Sequence, residues 1–284
     1  MNILDALVEP FQFGFMVRAF AGVSLIAVLS GIVGTFIMLR GLAFIGDAVA
    51  HASFGGIVLA MLVGIPLHIG ALVFGFGTAL LVAALERKTK LQADTSLAIL
   101  FTGAFSIGVL GLATRPGFAG DLSSLLVGSV LSIRPADLWW IVAAVIVAGL
   151  VMMVLFRRLV YISFDASGAE AAGLPVGWLH TLLLGLVALS VVVSLQAVGA
   201  ILVVALLITP AATASLFTKR MERLIAGAIG IGLVATWAGL YASYYLATPP
   251  GATIVALLTL QFGCALIVQK TRERVTKKGA VHAA

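Results

Sequence analysis

The sequence predicts an all-α polytopic membrane protein, a helical bundle of about eight or nine spans, on three observations. Of its 284 residues 62% are hydrophobic and only 10% are charged, and the mean hydropathy is +1.21. A soluble domain carries about 25% charged residues and has no core large enough to hide so much apolar surface. Apolar runs of about 20 residues follow one another with short polar breaks, the length a helix needs to cross a bilayer. These runs are continuous, unlike the alternating segments of a membrane β-barrel.

Taken in order, the first span covers about Phe15 to Leu39. The segment before it, MNILDALVEPFQFGF, holds Asp5 and Glu9 and no basic n-region, so it is expected to be retained rather than cleaved as a signal peptide. The second span, about Leu42 to Val63, contains Asp47 and His51. GIPLH at 64–68 makes a turn, and the third span runs to about Leu85. The basic loop ERKTK follows at 86–90, and Asp94-Thr95-Ser96 is read as the N-cap of a fourth span reaching about Ala113. After the break at Thr114–Gly117, residues 121–133 (DLSSLLVGSVLSI) are apolar but too short to span, and are expected to form a half-helix or re-entrant segment.

A further span covers about Asp137 to Phe156 and closes on Arg157-Arg158. Residues 159–177 form the longest polar interruption of the apolar body. Spans at about 178–195 and 198–210 precede the basic stretch Lys219–Arg223, and two more, about 224–246 and 252–268, flank Ala247–Gly251. Residues 1–269 thus read as a single transmembrane domain, and 270–284 as a polar, basic, flexible cytoplasmic tail.

Charge placement orients the chain. Arg40, the 86–90 loop, Arg157-Arg158, the 219–223 loop and the tail hold 14 of the 17 Lys and Arg residues. Nine crossings, with the N-terminus outside and the C-terminus inside, put all of these in the cytoplasm. Eight result if a short segment near 196–210, or the N-terminal run, does not cross. A net charge of +6 divided among such loops is a membrane-orientation pattern and gives no reason to expect a nucleic-acid partner. The single cysteine, Cys264, cannot form an intrachain disulfide and is expected to be a small buried hydrophobe.

Two stretches carry chemistry. Asp47 and His51 are four residues apart, about one helical turn, so they project from the same face. Ionisable groups at membrane depth are costly and face a cavity or a partner. A carboxylate and an imidazole offer O and N ligands to a divalent cation. The same residues also suit a helix-start aspartate with a hydrogen-bonded histidine one turn on. In the 159–177 loop, Phe164-Asp165 can cap a short helix over Ala166–Ala172, with Gly173 as its stop and Pro175 beyond. So short a helix is unstable alone and must pack on its own domain or on another protein. His68, His180 and His282 are expected to be surface residues rather than ligands. No phosphate-binding loop and no HExxH helix occurs, and no chain of acidic residues suited to proton relay. Uphill transport would therefore draw its energy from a separate partner.

GDAVAHA at 46–52, FDASGAEAAGLPV at 164–176, SLQAVG at 194–199 and PAATA at 210–214 stand in this order along nearly the whole chain. With them the chain resembles the permease family of ATP-binding-cassette importers for manganese, zinc and iron. The resemblance implies a type II importer permease in the bacterial inner membrane, working as a homodimer in lipid with a cytoplasmic ATPase and a periplasmic metal-binding protein. It implies that the chain is not itself an enzyme and holds no permanent cofactor, the divalent metal being cargo. It places Asp47 and His51 on the translocation pathway, as ligands or as a gate, and Phe164, Asp165, Glu170 and Gly173 on the helix that couples to the ATPase. Where relatives often carry His or Tyr after an Asp-Leu pair, this chain has Ser123, Ser124 and Leu125, so no metal contact is carried over there. The alternatives are a permease for a chelated metal or other small solute, an ion-coupled secondary carrier using Asp47, and a structural membrane protein with no use for the pair.

Overall fold

The computed structural model describes residues 8–89, 93–114 and 128–282, which form helices and turns. In order these are α1 (Gly14–Leu39), α2 (Ile45–Val63), α3 (Leu67–Lys88), α4 (Ala93–Ala113), α5 (Pro135–Phe164), α6 (Ala166–Ala171), α7 (Val176–Val198), α8 (Ala200–Ser215), α9 (Met221–Leu246) and α10 (Pro250–His282). Among the described residues, eight helices are long and apolar enough to cross a membrane, and α8 is a shorter apolar one. Helix is the expected solution, since each satisfies its backbone hydrogen bonds internally.

Contacts at the two ends of the bundle fix the helix directions. At one end Arg18 Nε, early in α1, donates to the Ile133 carbonyl at 3.1 Å. At that end too, the Tyr244 and Tyr245 hydroxyls near the end of α9 donate to Glu9 at 3.4 and 3.3 Å. Gly128 (φ +65°) packs there against Val198 and Gly199 at the end of α7, so closely that a Cβ would overlap their backbone. At the opposite end the last turn of α3 meets the first turn of α7: Arg87 donates to the Gly177 carbonyl and to the Thr181 hydroxyl. Both α7 and α9 therefore run from the second end to the first. The intervening α8 must return the chain across the bundle, although its 16 residues span only about 24 Å. It manages this from the interior, with Leu202, Val203, Leu206, Leu207 and Pro210 buried. Among the described residues the count is nine crossings, which puts the basic clusters at one end. Exposed Trp139 and Trp140 at the other end, and Trp178 at the basic end, suit aromatic belts at the two interfaces.

Several expectations are corrected. Helix α5 does not stop at Arg157-Arg158 but continues to Phe164, because Leu159 and Ile162 are buried and hold it to the bundle. The polar interruption is accordingly shorter than 159–177. Asp94 lies within the helix, in the first turn of the described part of α4, rather than at its N-cap. Cys264 is exposed, on a face of α10 that no described residue covers. The chain continues as helix through the tail to His282 instead of ending near 268. Of the 121–133 stretch, residues 121–127, including Ser123, Ser124 and Leu125, lie outside the described residues. The remainder holds a short 3₁₀ turn, Val130–Ser132.

The directions give a direct test in a Cys264→Ser background. Gln196→Cys should react with an impermeant maleimide added outside intact cells, and Lys219→Cys only after permeabilisation. Equal external labelling at both positions would mean that α8 does not cross.

Candidate functional site

The site is built on α2. Gly41 adopts φ +68°, a left-handed turn that reverses the chain after α1, and α2 begins four residues later. Its sequence, IGDAVAHASFGGIVLAMLV, is rich in small residues that let neighbouring helices approach to backbone contact. A Cβ at Gly55 would overlap the Ala104 carbonyl of α4, and one at Gly56 would overlap the Gly70 carbonyl of α3. From the α4 side, a Cβ at Gly108 would come within 2.8 Å of the Gly55 Cα. Helix α2 is thereby wedged between α3 and α4 with little freedom to shift.

Asp47 lies in the first turn of α2 and His51 one turn on, as their spacing predicts. His51 Nδ1 is 2.9 Å from the Asp47 carbonyl oxygen and 3.3 Å from Asp47 Oδ1. Both of those oxygens are acceptors, so Nδ1 carries the proton and donates to them. Among the described residues nothing bonds Nε2. A histidine that donates through one ring nitrogen to a carbonyl or carboxylate and leaves the other free has the arrangement common to metal-binding imidazoles. The Asp47 side chain is 47% exposed and that of His51 28%, so both reach an open edge of the bundle.

Two α4 rings flank that edge. Phe101 and Phe105 have centroids 5.9 and 5.7 Å from the His51 ring, and Phe105 also packs on Phe54 at 5.3 Å. Sequence reasoning missed them, yet the signal was present: two aromatics four residues apart on a neighbouring span. The rings restrict the imidazole's rotation and leave its unbonded Nε2 in an apolar setting. Among the described residues no group of three or more His, Cys, Asp or Glu could hold a metal ion. Among the described residues, Asp47 and His51 thus form a candidate pair with no third such group beside them.

The second stretch folds as its residues suggest. Asp165 is the N-cap of α6, its Oδ1 accepting from the Gly168 backbone N–H at 2.8 Å. Gly173, at φ +79°, turns the chain after Ala171. The buried Ala169 anchors α6 to the bundle, and Phe164, Asp165, Glu170 and Gly173 all face outward. The structure does not bring this group together with Asp47 and His51. His68 is exposed at the other end of the bundle beside Trp140, ring centroids 6.1 Å apart. His180 departs from expectation: its side chain is only 13% exposed and its Nε2 is 2.7 Å from Glu86 Oε2.

Comparison with known proteins agrees with this architecture. The family model described as the ABC 3 transport family matches residues 12–269. The chain is 38% identical over 257 residues to the manganese transport system membrane protein MntC of Listeria innocua, covering 90% of this chain and 91% of that one. It is 37% identical over 275 residues to a Haemophilus influenzae protein named for iron transport, covering 96% of this chain and 100% of that one. Among solved structures it resembles PsaBC from Streptococcus pneumoniae, determined in complex with Fab. The TM-score is 0.81 at 30% identity, over 93% of this chain and 95% of that one. The chain is a multi-pass bacterial membrane protein and belongs to the ABC 3 transport family of metal-importer permeases.

Proposed function

We propose that this permease carries a divalent transition metal inward, driven by ATP hydrolysis on a separate chain, with Mn²⁺ the first substrate to test. The observation that carries this reading is the half-open Asp47–His51 pair, which has a free imidazole nitrogen and a carboxylate at the edge of a tightly held helix. Imidazole with carboxylate suits Mn²⁺, Fe²⁺ and Zn²⁺. Relatives named for manganese and iron transport favour the first two.

One chain's pair is too few ligands, so the site is completed by a second copy across a two-fold axis, beside the exposed face of α4. Two carboxylates then neutralise the dication, and two imidazole nitrogens add to its coordination. An incomplete cage of this kind releases its ion, as a conducting site must. Alternating access opens it first to the outer face, where a metal-binding protein delivers the ion, and then to the cytoplasm. The ATPase docks on Phe164, Asp165, Glu170 and Gly173. A phenylalanine ring 61% exposed beside a six-residue helix fits a protein-binding surface better than a solvated loop. Residues 1–269 act as one permease domain, with the segment around α6 as its coupling element.

Asp47→Ala and His51→Ala should each lower ATP-dependent Mn²⁺ uptake in proteoliposomes by at least about tenfold, the smaller loss seen when a metal site's supporting residues are removed. The ATPase should still copurify with both variants. Uptake at the wild-type rate by the double variant contradicts the site. Asp165→Ala removes a cap worth about 1 kcal/mol, so the docking segment should be several-fold less populated in its bound form. Copurified ATPase and uptake should fall together in Asp165→Ala and recover in Asp165→Asn, which still accepts from Gly168. Unchanged uptake in Asp165→Ala would count against docking there.

A further inference from the structure

The basic end of the bundle holds a polar junction outside the Asp47–His51 site. Glu86, in the last turn of α3, accepts from His180 Nε2 in the first turns of α7 at 2.7 Å, and the side chains are only 20% and 13% exposed. Arg87 beside it donates to Gly177 and Thr181 of the same helix. Arg40, which closes α1 and leads into α2, completes the group. Burial lowers the pKa of its guanidinium, and the negative charge of Glu86 partly opposes that. Glu86 Oε1, His180 Nδ1 and Arg40 Nη1 are all buried and make no hydrogen bond among the described residues. Glu86 thus has a histidine at hydrogen-bond distance, the positive charge of Arg40 in its field with no ion pair among the described residues, and bonding capacity to spare. Such a junction can exchange partners as the helices move.

Its place in the chain gives that exchange a purpose. Only Ala172–Pro175 separate α6 from α7, so any shift of α6 is passed to the α7 turn bearing His180. Helix α3 is locked to α2 at Gly56 and Gly70, so a shift at Glu86 is passed to the helix bearing Asp47 and His51. Among the described residues the side-chain hydrogen bonds between α3 and α7 lie at this junction, and the apolar packing of Gly75 against Val192 continues the contact further along the two helices.

We propose that Glu86 and His180 form a positioning link that transmits movement of the ATPase-docking segment to the metal pathway. Neither residue touches the metal or the ATPase. The link rests on the reading of 164–173 as the docking segment. Removing the bond leaves both sites intact but disconnects them, so ATP is hydrolysed without a matching uptake of metal.

The test uses the whole complex of permease, ATPase and binding protein in proteoliposomes, with ATP hydrolysis and Mn²⁺ uptake measured on the same vesicles. His180→Leu should lower uptake per ATP by at least about fivefold, the low end of coupling between distant sites, with hydrolysis within about twofold of wild type. His180→Gln, whose side-chain amide can replace the Nε2–H donor, should recover most of the ratio. Glu86→Leu, which removes the acceptor at similar size, is the second variant and should fall as His180→Leu does. Unchanged uptake per ATP in His180→Leu and Glu86→Leu overturns the link and leaves the transport reading standing. A proportional loss of uptake and hydrolysis, or failure of His180→Gln to differ from His180→Leu, also overturns it, because simple structural damage would do the same. A wild-type complex that shows no ATP-dependent uptake overturns both.

Discussion

The structure depends on backbone-to-backbone packing of α2 between α3 and α4. Lipid tails are as apolar as leucine, so the hydrophobic effect does little to press one membrane helix against another. Close van der Waals contact must hold them instead, and this requires residues with no side chain to intervene. Gly55 and Gly56 supply that on two faces of α2, meeting Ala104 and Gly108 on one side and Gly70 on the other. The remaining edge is left for chemistry. A rigid helix can present a carboxylate and an imidazole in a fixed relation, where a loosely packed one would let each turn to whatever partner it found.

The pair at that edge is deliberately unfinished. His51 spends its Nδ1 proton on Asp47 and keeps Nε2, and Phe101 and Phe105 hold the ring without offering it a partner. A closed tetrahedral site within one chain would bind a metal structurally and hold it. In the reading we propose, the site is assembled for one stage of the cycle and dismantled in the next, and ligands split between two copies make the separation of those copies the release step. At the basic end, the bond between Glu86 and His180 has the matching character, largely buried yet only partly satisfied.

Much of this was legible in the sequence because its signals are local. Apolar run length located the spans, and the basic clusters fall at one end of the bundle as their placement suggested. The four-residue spacing put Asp47 and His51 on one face, and Asp165 three residues before Gly168 is a cap that needs no tertiary context. What escaped is non-local. The partner of His180 lies 94 residues away, and nothing around either residue points to the other. Helix α5 runs past two arginines because buried Leu159 and Ile162 outweigh the polar residues that suggested a stop. The run at about 198–210 already suggested the crossing by α8, but its length, shorter than a bilayer, left eight or nine spans open. The crossing follows from where its neighbours begin and end. Cys264 was expected inside because its span is apolar, but lipid-facing positions are apolar too, and hydropathy cannot separate lipid from core.

The central claim is that one metal ion is held between two copies by Asp47 and His51 from each. Electron spin-echo spectroscopy of Mn²⁺ bound to the reconstituted permease, with metal counted in the same sample, tests it most directly. The account predicts one Mn²⁺ for every two permease chains, with coupling to two imidazole nitrogens that disappears in His51→Ala. One ion per chain, or nitrogen coupling that persists in His51→Ala, would contradict it.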